Sequence, residues 1–142
     1  MGLDMYFEGK EYISPYTDKE RYDNACDVLG VKKIKYITYE VGYLRKANAI
    51  HKWMVDNVQE GADDCSSHYV SPKKLQELYD TCQEVKDDPE LAPELLPTQE
   101  GFFFGNLEYD SMYMQDINDT LEILDNLRGE DGVFSDNVYY RS

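Results

Sequence analysis

Tyr43–Gln59, YLRKANAIHKWMVDNVQ, is the stretch whose reading decides the rest of the chain. It holds the only Trp, Trp53, and one of the two His, His51. At about 100° per residue, Tyr43, Leu44, Ala47, Ile50, Met54, Val55 and Val58 fall on one arc, which is the core stripe of an amphipathic helix. His51 lies inside that arc, Asn48 at its edge and Arg45 a step further round. Trp53 projects from nearly the opposite side, beside Lys46, Ala49 and Asn57. A helix with something to cover on two sides is either central or part of a contact surface.

His51 carries two readings. It is a core histidine, satisfied by a backbone carbonyl and a nearby Tyr, or a pocket histidine working with Asn48 and Arg45 on an anionic ligand. The core reading is the stronger, because a buried polar group needs only one partner to persist. Trp53 reads as a residue that closes a loop or a homodimer contact before it reads as a ligand contact.

The flanking segments read as parts that pack onto this helix. Leu3, Met5 and Phe7 alternate with Asp4, Tyr6 and Glu8, a strand with one buried side that can run on through Tyr12 and Ile13 to Pro15. Thr17 and Glu20 have the spacing of a capping box, and Tyr22, Ala25, Cys26 and Leu29 continue it as a helix over 18–29, stopped by Gly30. Ile34–Val41 suits an interior strand. Gly61–Val70 is a polar loop. Ser71 and Pro72 start a helix with its stripe at Leu75, Leu78, Tyr79, Cys82 and Val85, which must end before Pro89. Asp87–Pro97 is an acidic connector. Gly101–Gly105, GFFFG, reads as an aromatic strand bounded by bends. Asp110 or Ser111 caps a helix whose stripe is Tyr113, Ile117, Leu121, Leu124 and Leu127, closed by Gly129. Val133–Tyr140 adds a last strand. The expectation is an α+β fold: one domain spanning 1–142, with about four helices and a small antiparallel sheet of three to four strands.

Composition bounds the function. The 142 residues suffice for one core, and 13 Tyr tolerate half-burial, their hydroxyls facing water or a partner. No run reaches the length of a membrane span, and the start shows no signal-peptide pattern. Three Cys, Cys26, Cys65 and Cys82, fit free thiols in a reducing cytoplasm. The net charge is −15, and residues 87–142 set 14 acids against Arg128 and Arg141 alone, a net of −12. A field of that sign disfavours direct nucleic-acid binding and attracts a basic protein surface.

Motifs with chemistry are sparse. There is no Gly-rich phosphate loop, HExxH or CxxC pair. Cys65 and His68, three apart, leave a metal-ligand set incomplete even with His51, and Cys65 with either His51 or His68 as nucleophile and base is an ordinary loop coincidence. No catalytic residue, metal or cofactor is expected. The best binding loop is 96–101, LPTQEG, which is polar and bounded by Pro and Gly.

Three stretches also carry a resemblance. MGLDMY at the start, LRKANAIHKW at 44–53 and LLPTQEGFFFG at 95–105, followed by YDSMY, are similar to a family of small uncharacterised proteins of tailed bacteriophages and prophages. That family shows MGLDMYL, WRKANAIHxWF and LPTxxGFFFG in the same order. Tyr43-Leu44 depart from its aromatic pair, which commonly ends in Trp. The resemblance implies a phage setting and a host bacterial cytoplasm, without a mechanism.

Three functions are carried forward. The first is an acidic inhibitor, counter-defence and anti-CRISPR-like, that offers carboxylates to a host nuclease or defence effector. Its contact residues would be Trp53, Asp116, Asp119 and Glu122. The second is an anionic metabolite or nucleotide site built from Arg45, Asn48, His51, Thr98, Gln99 and Phe103. The third is a virion or assembly component. Asn48, at the edge of an apolar arc, needs polar partners, and the turn at Thr98–Gln99 is expected to supply them.

Overall fold

Alternating Met5, Phe7 and Gly9 with Tyr6, Glu8 and Lys10 produces a nine-residue strand, β1 (Asp4–Tyr12), in the interior of the sheet. The computed structural model describes residues 3–101 and 107–142. Within them β1 pairs antiparallel with β2 (Tyr36–Arg45) on one side and β4 (Val138–Arg141) on the other, and β4 pairs antiparallel with β3 (His68–Val70). The order is β2-β1-β4-β3. Between Phe7 and Glu8 the register with β2 shifts, so Val41 is the extra residue of a bulge.

The described residues also form five α-helices: α1 (Lys19–Leu29), α2 (Asn48–Asn57), α3 (Pro72–Asp87), α4 (Ala92–Leu95) and α5 (Ser111–Leu127). The α+β class with a four-stranded antiparallel sheet is as read from the sequence. None of these helices is long and apolar enough to cross a membrane.

The core lies between one face of the sheet and α2, α3 and α5. Met5, Phe7, Leu44, Val138 and Tyr140 from the strands are buried against Ile50 and Met54, Leu75, Leu78, Cys82 and Val85, and Ile117, Leu121 and Leu124. Burial pushes the Cys82 thiol up to about 12, so it is an inert core group. A smaller cluster of Ile13, Tyr22 and Cys26 holds α1 against Ile34 and Ile37.

Several boundaries differ from the sequence reading. Tyr43, Leu44 and Arg45 end β2 instead of opening α2, because they face Tyr6, Met5 and Asp4 across the ladder. Those cross-strand pairs outweigh a helical period carried by three residues. Lys46, with φ 56°, makes the turn, its N–H donating to the Leu3 carbonyl at 2.7 Å. A left-handed backbone at a residue with a Cβ costs on the order of 1 kcal/mol, which the ladder and α2 together offset.

Asp18, not Thr17, caps α1 by accepting from the Arg21 N–H at 3.0 Å, and Gly30 closes it at φ 68°. Residues 68–70 of the expected loop are β3. The connector after Asp87 folds into a 3-10 turn, Pro89–Leu91, and α4, since Pro at the start of each is compatible with a helical first turn. The last strand is Val138–Arg141; Phe134 instead bridges Arg128. Residues 102–105 of the expected aromatic strand lie outside the described residues.

Candidate functional site

The sequence places Thr98–Gln99 beside Asn48, and the fold makes that contact directly. Asn48, buried at the start of α2, accepts the Gln99 N–H on Oδ1 at 3.0 Å. Thr98 donates its N–H to the Tyr109 hydroxyl at 3.1 Å and its hydroxyl to the Leu107 carbonyl at 2.9 Å. Tyr113, on α5, donates its hydroxyl to the Leu96 carbonyl at 2.7 Å. Segment 96–99 is therefore tied to α2 on one side and to 107–113 on the other.

This seam leaves a pocket of about 110 Å³, lined by Arg45, Lys46, Asn48, Thr98, Tyr113 and Asp116 among others. The volume is below the range of about 300–1,000 Å³ usual for small-molecule sites. Glu108 and Asp110 also line it, so two cations and three carboxylates meet there. Burial, followed by the nearby carboxylates of Asp119 and Asp110, raises the Asp116 carboxyl to about 6. Burial likewise raises the Tyr113 hydroxyl.

His51 and Gln99 do not join that pocket. They line a separate open hollow of about 340 Å³ with Lys52, Asp56, Asp63 and Glu100. The Asn48–Gln99 hydrogen bond lies between the two. The six proposed ligand residues are thus divided: Arg45, Asn48 and Thr98 on one side, His51 and Gln99 on the other, and Phe103 outside the described residues.

His51 is 1% exposed, and its Nδ1 lies 2.6 Å from the Tyr140 hydroxyl. Burial, then Asp63 and Cys65, raise the Tyr140 pKa, so its hydroxyl stays protonated and is assigned as donor. The ring proton then belongs on Nε2, 3.0 Å from Asp63 Oδ2, where a neutral imidazole faces the carboxylate. The core reading anticipates the Tyr, and a carboxylate from loop 58–67 is a further neighbour of the ring. Tyr140, His51 and Asp63 form a polar path from the core to the surface.

Cys65, Ser66 and His68 lie in and beside the same loop. Asp64 Oδ1 accepts from the Ser66 N–H and hydroxyl at 3.1 and 2.7 Å, and lies 2.8 Å from His68 Nε2. These bonds, His68's first, hold the Asp64 carboxyl well below the usual carboxylate range. Ser66 Oγ meets the same ring nitrogen at 3.0 Å. A relay between acid and hydroxyl needs opposite ring nitrogens, so this is a loop knot and not a nucleophile system. Among the described residues no metal-ligand cluster forms.

The residues proposed for a partner contact are spread out. Trp53 is half-buried, packed against the core and lining a hollow with Leu95, Leu96 and Pro97. It closes the α2–α4 seam instead of projecting freely. Asp116 faces the small pocket, whereas Asp119 and Glu122 lie progressively toward the outer side of α5.

The fold adds a surface that sequence reading did not assemble. The sheet face opposite the core carries Tyr6, Tyr12, Tyr36, Tyr43, Tyr69 and Tyr139, because these alternate with the buried strand residues and meet in register. Tyr6 pairs with Tyr43, Tyr12 with Tyr36 and Tyr69 with Tyr139, with ring centroids 5.3, 5.8 and 5.6 Å apart. The Arg141 guanidinium lies 4.2 Å from the Tyr6 ring centre, and Lys10 lies 4.6 Å from that of Tyr36. A shallow hollow of about 280 Å³ opens between Glu8, Lys10, Thr38, Ser67 and Tyr139.

Comparison with family models, curated proteins and solved structures finds no match. The site is therefore described by its own geometry. The sequence signal for the tyrosine face was the alternation within each strand; what it lacked was which strands are neighbours.

Proposed function

We propose that this chain is an acidic binding protein that recognises a basic surface on a host protein, in the phage setting its motifs resemble. Occlusion of a nuclease or defence effector in the host cytoplasm is the corresponding activity. The observation that carries the reading is how the acids of the helical layer are held. Asp80, Asp87 and Asp119 each accept from a glutamine one turn earlier, Gln76, Gln83 and Gln115, at 2.8, 3.1 and 2.7 Å. A neutral amide orients a carboxylate without cancelling its charge, so these three carboxylates keep their negative charge toward solvent. Such a field steers a basic partner and speeds encounter.

The geometry supports surface recognition over small-molecule chemistry. The Arg45–Asn48–Thr98 pocket is small, and its three carboxylates outnumber its two cations, which opposes an anionic metabolite. Capture from bacterial lysate on immobilised protein, repeated across a salt series, tests the reading. A specific host protein released as salt rises is the expected outcome. Capture unaffected by reversing Asp80, Asp87 and Asp119 to Lys would sink it.

A further inference from the structure

Resting on that reading, we infer that the tyrosine-bearing face of the sheet is the docking surface, and that its occupant is a protein segment presenting arginine and lysine side chains.

Aromatic rings attract cations through their negative faces. This face already uses that attraction within the chain, placing Arg141 over Tyr6 and Lys10 over Tyr36, with Lys10 also 5.9 Å from the Tyr139 ring centre. Lys10, Lys35 and Arg141 stand over the rings of Tyr36, Tyr139 and Tyr6, whereas Tyr12, Tyr43 and Tyr69 are 63, 44 and 47% exposed. Their ring faces are available to a partner's guanidinium or ammonium groups. Asp4, Glu8 and Glu40 stand on the same face with Lys10, Arg45 and Arg141, placing charges of both signs between the rings. Tyrosine set among charges is the composition of a recognition surface, since its rigid ring gives contact area at low entropic cost.

Charge complementarity selects the occupant. The molecule carries −15, so a basic protein is drawn toward it and a second copy is repelled. Single-stranded nucleic acid also stacks on aromatic faces, but it needs free cations for its phosphates. Arg141 is held by Glu8 at 2.9 Å, Lys10 lies over a ring, and Arg45 stands opposite Asp4 across the ladder, so the cations of this face are matched by its own carboxylates and rings.

The test is a titration of the full ¹⁵N-labelled chain with three probes: a nona-arginine peptide, a nona-lysine peptide and oligothymidylate of matched length. The expected result is that the arginine peptide shifts amides of β1, β2, β3 and β4, and that nona-lysine does so more weakly. Tyr12→Ser, Tyr43→Ser and Tyr69→Ser combined keep net charge and should weaken arginine-peptide binding about tenfold or more. If the triple variant unfolds, each single variant is measured, with Tyr→Phe at the same position expected to retain binding. Amide shifts confined to α3 and α5 would overturn the docking surface while leaving the acidic-binder reading standing. Binding of neither basic peptide at low salt would overturn both. Tighter binding of oligothymidylate, or dimers that occlude the face, would overturn the choice of occupant.

Discussion

Two single side chains show how local chemistry is set by packing. Asp116 is half-buried beside Asp110 and Asp119, and its carboxyl is raised to about 6, first by burial and then by those neighbours. An acid whose folded pKa exceeds its unfolded value of about 3.9 binds its proton more tightly when folded. Asp116 therefore opposes folding above pH 6, and that opposition is relieved as pH falls from about 6 toward 4. Asp116→Asn should raise stability at pH 7.5 by about 1–2 kcal/mol, discounting the shift for solvent screening, and should gain little at pH 4. Urea unfolding at the two pH values measures this; an equal effect at both would refute the assignment. Asn48 works in the opposite sense. Its Oδ1 accepts the Gln99 N–H, so Asn48→Ala strands a donor at the α2 seam and should cost about 1–3 kcal/mol. Asn48→Asp, which retains an acceptor at a helix N-terminus, should recover much of that loss in the same unfolding assay. No recovery would mean that the amide's other contacts dominate.

At the scale of elements, what the sequence revealed depended on whether one segment contained its own decision. α5 was legible because Asp110 caps it, accepting from the Met112 and Tyr113 N–H groups, and its stripe is unbroken. α3 was legible for the same reason at Ser71 and Pro72. The end of β2 was not, because Tyr43, Leu44 and Arg45 satisfy both a strand and the first turn of a helix. Only pairing with β1 decides between them. The contact of β2 with α5 was also beyond sequence reading, although a glycine marks it. A Cβ built on Gly42 would stand 2.5 Å from Ile123 Cγ2 and 2.8 Å from two further carbons of that side chain. α5 thus sits on β2 where β2 has no side chain. Gly42→Ala should overpack this seam and cost about 1–3 kcal/mol. Pairing it with Ile123→Ala should restore part of the loss, giving a coupling energy of opposite sign to the single effects. Strictly additive thermal shifts in the double-mutant cycle would show that the two residues do not share the space.

For the whole molecule, the placement of charge was legible and the placement of the tyrosines was not. Sequence alone separates a nearly balanced first part from a strongly acidic second part, since counting needs no contacts. It cannot bring Tyr6, Tyr43 and Arg141 together, because that requires the register of three strands distant in the chain. The Arg45–Asn48–Thr98 group was found through a local polar need, and His51 was separated from it by the path of segment 96–99. The charge distribution has a direct thermodynamic consequence. At −15, with Asp80, Asp87 and Asp119 oriented by glutamines, folding gathers like charges more than it neutralises them. The ion pairs Lys19–Asp23, Lys52–Asp56 and Lys74–Glu77 are single local pairs on exposed or half-exposed surface, where solvent and salt screen them, so they add little to stability. Long-range repulsion acts over a Debye length that falls from about 30 Å at 0.01 M salt to about 10 Å at 0.1 M, so added salt removes it before it breaks contact pairs. Stability by urea unfolding should therefore rise, by something on the order of 1 kcal/mol, between about 0.01 M and 0.2 M sodium chloride. Asp119→Asn combined with Asp80→Asn should raise stability at low salt and shrink that rise. A fall in stability over the same salt range would show that the ion pairs, and not the excess of acids, control the electrostatics of the fold.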